Sequence, residues 1–185
     1  YRTFKVLMSL YLLFLVLAAM GGISFQFMSF KQPVSYIYGF PRVWYYAVVF
    51  GSFLNTALAI IIIMVTCNEF TYRTGRQHII DGQSKADLLL GKVMLMAALS
   101  IGVGVALFAG GFVAGLIYSD GFSATAVFER IGFIPAFMIQ AFAVMSMGYF
   151  LAILFRKTAL SVLLFLLYMF PAEIIIRLVV LKNLG

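Results

Sequence analysis

The stretch NEFTYRTGRQHIIDGQSKADLLLGK, residues 68–92, decides how the rest of this chain is interpreted. It is the only long polar stretch in an otherwise apolar sequence. It holds four of the thirteen basic residues, three of the six acidic residues and the only histidine, His78. The apolar runs on both sides are long enough to cross a membrane, which takes about 20 residues. We therefore expect residues 68–92, called here the polar segment, to be a loop displayed to water and to a partner.

The composition predicts an all-α, polytopic membrane helix bundle. Of the 185 residues, 64% are hydrophobic and only 10% are charged, and the mean hydropathy is +1.10. Soluble domains carry about 25% charged residues, so a soluble globular fold is nearly excluded. The net charge of +7 is scattered among apolar runs. This pattern fits basic cytoplasmic loops and contact with membrane lipid, and we expect no nucleic-acid partner.

The apolar runs predict a single transmembrane domain over residues 1–185. The first run is longer than the roughly 7–15 apolar residues of a signal peptide and is interpreted as a span. Pro171 interrupts the last run, and residues 171–185 follow as a further apolar helix. The predicted spans cover about residues 6–30, 43–66, 93–118, 131–155 and 159–170.

The lysine and arginine residues predict an orientation for these spans. Eight of them flank the ends shared by the N-terminus, the polar segment and residues 156–157, and five flank the opposite ends. Cytoplasmic loops carry the excess of positive charge. We therefore expect the N-terminus and the polar segment to be cytoplasmic and the aromatic loop at residues 31–42 to face outward.

The third predicted span carries small residues at a regular spacing. Small residues every four positions let two helix backbones approach closely in lipid. Such a stripe predicts packing against another helix, either within one subunit or in a second subunit. The stripe consists of Ala98, Gly102, Ala106, Gly110 and Ala114, and Gly111 and Gly115 form a GxxxG pair beside it.

Within the polar segment, the pattern predicts a short helix, a turn and a second helix. Asn68 is a suitable cap for the first helix. Glu69 precedes Arg73 by four residues, which is the favourable order for a helical ion pair. Asp81 and Gly82 then favour a turn. Ser84 and Asp87 form a predicted capping box that opens the helix leading into the third span.

The same segment resembles the signature between the second and third spans of type-2 ABC exporter permeases. In that family a Glu precedes a Gly-Thr pair and a short amphipathic helix, and Glu69 and Thr74 stand at the matching separation. A Ser-Arg-x-Glu box and a Gly-Lys pair follow, matched here by residues 84–87 and 91–92. Arg73 replaces the usual Gly, and Gly82 replaces the usual Pro. The matched motif covers about a seventh of the chain.

The resemblance implies that the segment from Glu69 to Ile80 is a coupling helix that docks on a cytoplasmic ABC ATPase subunit. It also implies six spans per subunit, a second permease subunit, identical or paralogous, and an outer hairpin that residues 171–185 would begin. ATP and Mg²⁺ would be bound by the partner ATPase, and the protein would lie in the bacterial inner membrane. The implied docking residues are Glu69, Arg73, Thr74, Arg76, Gln77, His78, Ile79 and Asp81.

Other polar residues are weighed against ordinary structural roles. The sequence contains no P-loop, because Gly91 and Lys92 are followed by Val93. His78 has no second His or Cys at metal spacing, so neither a metal site nor a catalytic set is expected. Glu173 is either a functional intramembrane charge or the partner of Arg177 in an outer-leaflet charge pair. The polar residues within the spans, expected to bond neighbouring helices, are Gln26, Asn55 and Gln140.

The hypothesis from the sequence is therefore a non-catalytic permease subunit of an ATP-driven exporter. The alternative from another class is a membrane scaffold or signalling protein whose basic loop binds a partner or anionic lipid. An integral membrane enzyme is a third possibility, but the sequence shows no metal cluster and no nucleophile–base set. The sequence does not identify a transported substrate.

Overall fold

The computed structural model describes residues 39–72, 84–119 and 124–169, together with Lys5, Ser9 and Leu13. Every regular element in these residues is a helix. The expected first span at residues 6–30 lies almost wholly outside the described residues. The outer segment at 171–185, with Glu173 and Arg177, lies outside them too. The helices are α1 (Val43–Thr71), α2 (Lys85–Tyr118), α3 (Ala124–Phe128), α4 (Phe133–Phe155) and α5 (Thr158–Leu167).

Three stretches of helix in the described part of the chain are long and apolar enough to cross a membrane. They run over Val43–Thr71, Ala86–Tyr118 and Thr125–Phe155, with mean hydropathies of 2.4, 2.2 and 1.9. A helix satisfies its own backbone hydrogen bonds, which lipid cannot do. The fold is therefore that of a multi-pass membrane helix bundle, as the composition predicts.

The helix bounds differ from the predicted spans at the polar segment. Helix α1 continues to Thr71, past the predicted span edge at residue 66. Helix α2 begins at Lys85, in agreement with the predicted helix that opens at Ser84 and leads into the third span from about residue 93. The prediction followed the edges of the apolar runs, whereas backbone hydrogen bonding continues into polar residues that tolerate a helix. Helix α4 begins at Phe133, and Pro135 lies in its first turn, where the missing amide donor costs little.

Contacts between side chains fix the directions of the three long helices. Gly51 of α1 lies against Leu107 of α2 and Phe137 of α4. Further along α1, Cys67 approaches the backbone oxygen of Ala152 in α4, with 4.0 Å between sulfur and oxygen. The partner numbers on α4 therefore rise along α1, and the two helices are parallel. Helix α2 runs antiparallel to both, and α5 packs on α1 and α4 through Phe165.

At one end of the bundle, aromatic rings of α1 and its preceding turn fit against glycines of α2. Trp44 is fully buried and lies against Gly111, and Phe40 lies against Gly115. The Trp44 ring stacks on Phe108 with 5.3 Å between ring centroids. This set of contacts, called here the aromatic notch, is the closest approach of α1 and α2 at this end.

Two hydrogen bonds fasten the aromatic notch to the connection between α2 and α4. The Trp44 Nε1–H donates to the backbone oxygen of Val127 at 2.7 Å. The backbone N–H of Phe40 donates to Ser119 Oγ at 2.9 Å. Indole N–H groups in apolar surroundings need such a partner. Helix α3 therefore contributes to the fold as the acceptor that receives the Trp44 indole.

The small-residue stripe of α2 is split between two environments. Gly110 and Ala114 are buried, and so are Gly111 and Gly115 of the GxxxG pair. The other end of the stripe is exposed, and a β-carbon at Gly102 would meet no atom within 4 Å. An α-helix turns about 400° in four residues, so a strict four-residue stripe rotates by roughly 40° at each step. The stripe at Ala98 and Gly102 consequently faces away from the helices that receive its other end, with Ala106 half-buried between them.

The glycine contacts generate a prediction with an internal control. Gly115→Ala places a methyl group in the ring of Phe40, and we expect a loss of about 1–3 kcal/mol in the free energy of unfolding. Gly102→Ala fills open space and removes a flexible residue from a helix, so no loss is expected. Thermal unfolding of both variants in the same detergent measures the difference. Equal stability of the two variants would contradict the assignment of the aromatic notch.

Candidate functional site at the base of the polar segment

The polar segment leaves and re-enters the bundle through the end of α1 and the start of α2. Glu69 lies in the last turn of α1, and Lys92 lies in α2. Lys92 Nζ donates to Glu69 Oε1 in an ion pair that joins the two helices. The Lys92 side chain is 22% exposed and the Glu69 side chain is 28% exposed. The ion pair therefore closes the base of the polar segment, on the border between the packed bundle and its polar end.

Helix electrostatics show that Glu69 depends on this partner. The C-terminal turn of a helix carries a partial negative charge, so a carboxylate there is disfavoured. Glu69 lies two residues before Thr71, the last residue of α1, and no basic residue occupies that last turn. A cation from another element removes the penalty. Lys92 supplies that cation, and partial burial limits screening of the pair by solvent.

The start of α2 is fixed by a capping box. Ser84 Oγ accepts the backbone N–H of Asp87 at 3.1 Å. The backbone N–H of Ser84 donates to Asp87 Oδ2 at 3.0 Å, and the Ser84 hydroxyl donates to the same oxygen at 2.6 Å. The sequence prediction of a capped helix at this position is confirmed by this geometry. The chain beyond the polar segment therefore re-enters helix at a defined residue.

The end of α4 adds a second cation to the same region. Arg156 adopts a left-handed backbone with φ of 54° and ends α4. Its guanidinium carbon lies 5.5 Å from the centroid of the Phe70 ring, within the range of a cation–π interaction. Tyr149 of α4 is close enough to Glu69 for the two groups to interact electrostatically. Helices α1, α2 and α4 thus meet around one acidic and two basic side chains.

Apolar packing at this end is thin. The last buried residue of α1 is Cys67, and the first buried residue of α2 is Met96. Beyond these positions the described apolar side chains are largely open. Phe70 is 41% exposed and Leu90 is 62% exposed. Beyond Cys67 and before Met96, the Glu69–Lys92 ion pair joins α1 to α2.

The predicted docking residues fall in two groups. Glu69 is placed by the structure, at the base described above. The other members lie outside the described residues: Arg73, Thr74, Arg76, Gln77, His78, Ile79 and Asp81. Asn68 does not cap a new helix as expected, because it lies inside α1, where its carbonyl accepts the backbone N–H of Tyr72 at 2.9 Å. That expectation was wrong because α1 does not end at the apolar boundary.

The sequence did not point to Lys92 as a partner of Glu69, because the two residues are 23 positions apart along the chain. The pair of Glu69 with Arg73, which the four-residue spacing predicts, involves a residue outside the described ones and stays a prediction. One signal was present in the sequence. The acidic Glu69 follows the second predicted span, and the basic Lys92 precedes the third. In two consecutive antiparallel spans these positions lie at the same depth in the membrane.

The polar residues inside the bundle differ in how they are satisfied. Gln140 Oε1 accepts the Ser52 hydroxyl at 3.0 Å, which fits the expected bond to a neighbouring helix. Ser161 Oγ donates to the backbone oxygen of Leu151 at 3.2 Å. Asn55 is only 1% exposed, yet neither its Nδ2 nor its Oδ1 has a partner among the described residues. The expectation that Asn55 bonds a neighbouring helix is therefore wrong for this arrangement of the helices.

No group of three or more His, Cys, Asp or Glu side chains with metal-binding geometry occurs in residues 39–72, 84–119 and 124–169. Comparison with models of known protein families, with curated proteins and with solved structures finds no match to this chain. Evidence on function therefore comes from the geometry at the base of the polar segment and from the residues of the segment itself.

The unpaired amide of Asn55 generates a prediction for stability. A buried polar group without a partner costs about 1–3 kcal/mol. Asn55→Leu replaces the amide by an apolar group of similar size, so we expect the free energy of unfolding to rise by a comparable amount. Asn68→Leu is the matched control at an exposed position and should change stability by less than about 0.5 kcal/mol. Equilibrium unfolding in detergent tests both, and a destabilised Asn55→Leu variant would show that the amide has a partner.

Proposed function

We propose that this chain is the permease subunit of a type-2 ABC exporter. In this proposal a separate ATPase subunit binds ATP and Mg²⁺ and docks on the polar segment from the cytoplasm. A second permease subunit completes the transport pathway in the inner membrane. The chain itself performs no covalent chemistry. It converts closure of the ATPase subunits into movement of membrane helices.

The observation that carries the proposal is how the polar segment is attached to the bundle. Helix α1 runs without interruption from Val43 to Thr71, and α2 runs from Lys85 to Tyr118. Both helices are continuous from the aromatic notch to the polar segment. A displacement of the segment therefore moves α1 and α2 as stiff units, because a helix transmits motion along its hydrogen-bonded axis.

The charges at this end support a docking surface. Arg156 and Lys157 are exposed beside the end of α4, and Lys92 lies at the base of the segment. The segment adds Arg73 and Arg76 in the sequence. A partner with acidic side chains at the matching positions would be attracted to this end and held in register. The same excess of positive charge agrees with a cytoplasmic location.

The proposed cycle uses the two ends of α1 and α2 differently. Closure of the ATPase subunits moves the polar segment and, with it, the ends of α1 and α2 that carry Glu69 and Lys92. The aromatic notch keeps the opposite ends together, because Trp44 and Phe40 are packed against Gly111 and Gly115. The helices then pivot about the notch, which shifts the bundle between inward- and outward-open states.

The proposal predicts the effect of reversing one charge in the polar segment. Arg76→Glu should abolish co-purification of an ATPase subunit that carries a P-loop, because a like charge would face the acidic surface expected on the partner. Arg130→Glu makes the same change at the opposite end of the bundle and should leave co-purification intact. The measurement is the amount of ATPase subunit recovered with each tagged permease.

Two outcomes would contradict the proposed function. One is that no P-loop ATPase co-purifies with the wild-type chain under conditions that keep the membrane protein folded. The other is that Arg76→Glu retains the ATPase while losing affinity for vesicles containing anionic lipid. That result would favour a scaffold whose basic loop binds headgroups.

A further inference from the structure

We infer that the Glu69–Lys92 ion pair is a latch that sets the separation of α1 and α2 at the polar end and opens when the polar segment is displaced. The latch itself follows from the contacts of this chain. Its opening by ATP rests on the proposed function, and the two parts are tested by different measurements.

The two ends of the α1–α2 pair are held together by different kinds of contact. At one end, four aromatic rings and two glycines interlock, with Trp44 fully buried and hydrogen-bonded to Val127. At the other end, the apolar side chains around the ion pair are exposed. Two helices that interlock through buried rings at one end and meet through a partly exposed ion pair at the other separate at the polar end first. Local opening starts where buried apolar contacts are fewest.

The acidic member of the ion pair lies at the end of α1 where the helix dipole disfavours an anion. Glu69 stands at the negative end of α1, where an anion is disfavoured, and a cation at that position would be favoured. Separation from Lys92 would leave Glu69 at that disfavoured position without this cation, so opening of the ion pair costs free energy. The latch therefore stays closed until the polar segment is displaced.

Both side chains of the ion pair are partly buried. The two side chains are 22% and 28% exposed, so they are neither free in solvent nor sealed in the core. A fully buried pair would leave an uncompensated charge in apolar surroundings when broken. At the present depth each group gains water as the helix ends separate. The latch can consequently open without stranding a charge in the membrane.

The latch is tested by measuring the distance between the two helix ends in the full-length protein in liposomes. Spin labels are attached at Tyr72 and Leu90, which are 74% and 62% exposed, in a background with Cys67→Ala. A second labelled pair at Tyr45 and Val113 reports on the end with the aromatic notch. Pulsed electron–electron double resonance gives the distance distribution for each pair.

We expect Glu69→Gln and Lys92→Gln each to lengthen and broaden the Tyr72–Leu90 distribution and to leave the Tyr45–Val113 distribution unchanged. The double exchange Glu69→Lys with Lys92→Glu should restore a narrow distribution. Lys157→Gln, which removes an exposed cation at the same end, should have no effect. Unchanged Tyr72–Leu90 distances in both single variants, or a double exchange as broad as they are, would overturn the latch.

Opening by ATP is tested in the complex with the co-purified ATPase subunit. A non-hydrolysable ATP analogue with Mg²⁺ should lengthen the Tyr72–Leu90 distance in the wild type. If the analogue leaves the wild-type distance unaltered, the latch does not open in the cycle. If no ATPase subunit is recovered, the proposed function fails, while the distances measured in the chain alone still decide whether the latch exists.

Discussion

The contact of Phe40 and Trp44 with the glycines of α2 is the constraint on which the arrangement of the long helices depends. Lipid tails are as apolar as leucine side chains, so membrane helices gain little from burying apolar surface against each other. They associate through close packing and through hydrogen bonds that lipid cannot offer. Gly111 and Gly115 provide the space, and the bond from Trp44 to Val127 provides the polar partner. Helices α1, α2 and α3 are tied together at this one place.

The opposite end of the bundle is held by polar contacts and not by interlocked rings, and this difference between the two ends bears on function. Its contacts are an ion pair between Glu69 and Lys92, a cation–π contact between Arg156 and Phe70, and a capped helix start at Ser84. At a partly exposed end such polar contacts can be exchanged for contacts with water or with a partner. A bundle with one interlocked end and one exchangeable end is suited to pivoting motion. That property supports the proposal of a transport subunit driven from its cytoplasmic side.

Asn55 shows that the observed packing is not optimised for stability throughout. Its amide lies in the same buried face of α1 as Gly51 and Leu58, where an apolar side chain would fit the surroundings better. Proteins retain such costly groups at positions where another requirement outweighs stability. An amide without a partner lowers the stability of the arrangement in which it is unpaired. This effect is in keeping with a bundle that changes between arrangements.

Features that depend on neighbouring residues can be predicted from the amino-acid sequence alone. Apolar runs of span length predicted the long helices, and the spacing of Ser84 and Asp87 predicted the capping box, since a helix cap involves residues three apart. The GxxxG pair marked a face that packs closely. The resemblance of the polar segment to exporter permeases supplied a functional hypothesis. Its docking residues from Arg73 to Asp81 stay a prediction.

Contacts between residues far apart in the chain become visible only in the packed bundle. Small residues repeat every four positions along α2, yet helical rotation carries Gly102 away from the face that receives Gly111, and no local rule reveals which part has a partner. Local spacing around Glu69 did not reveal the ion pair that joins it to Lys92 in another helix. The physical reason is common to both cases. Packing and charge pairing depend on the direction and depth of helices far apart in the chain, and these are set only when the bundle assembles.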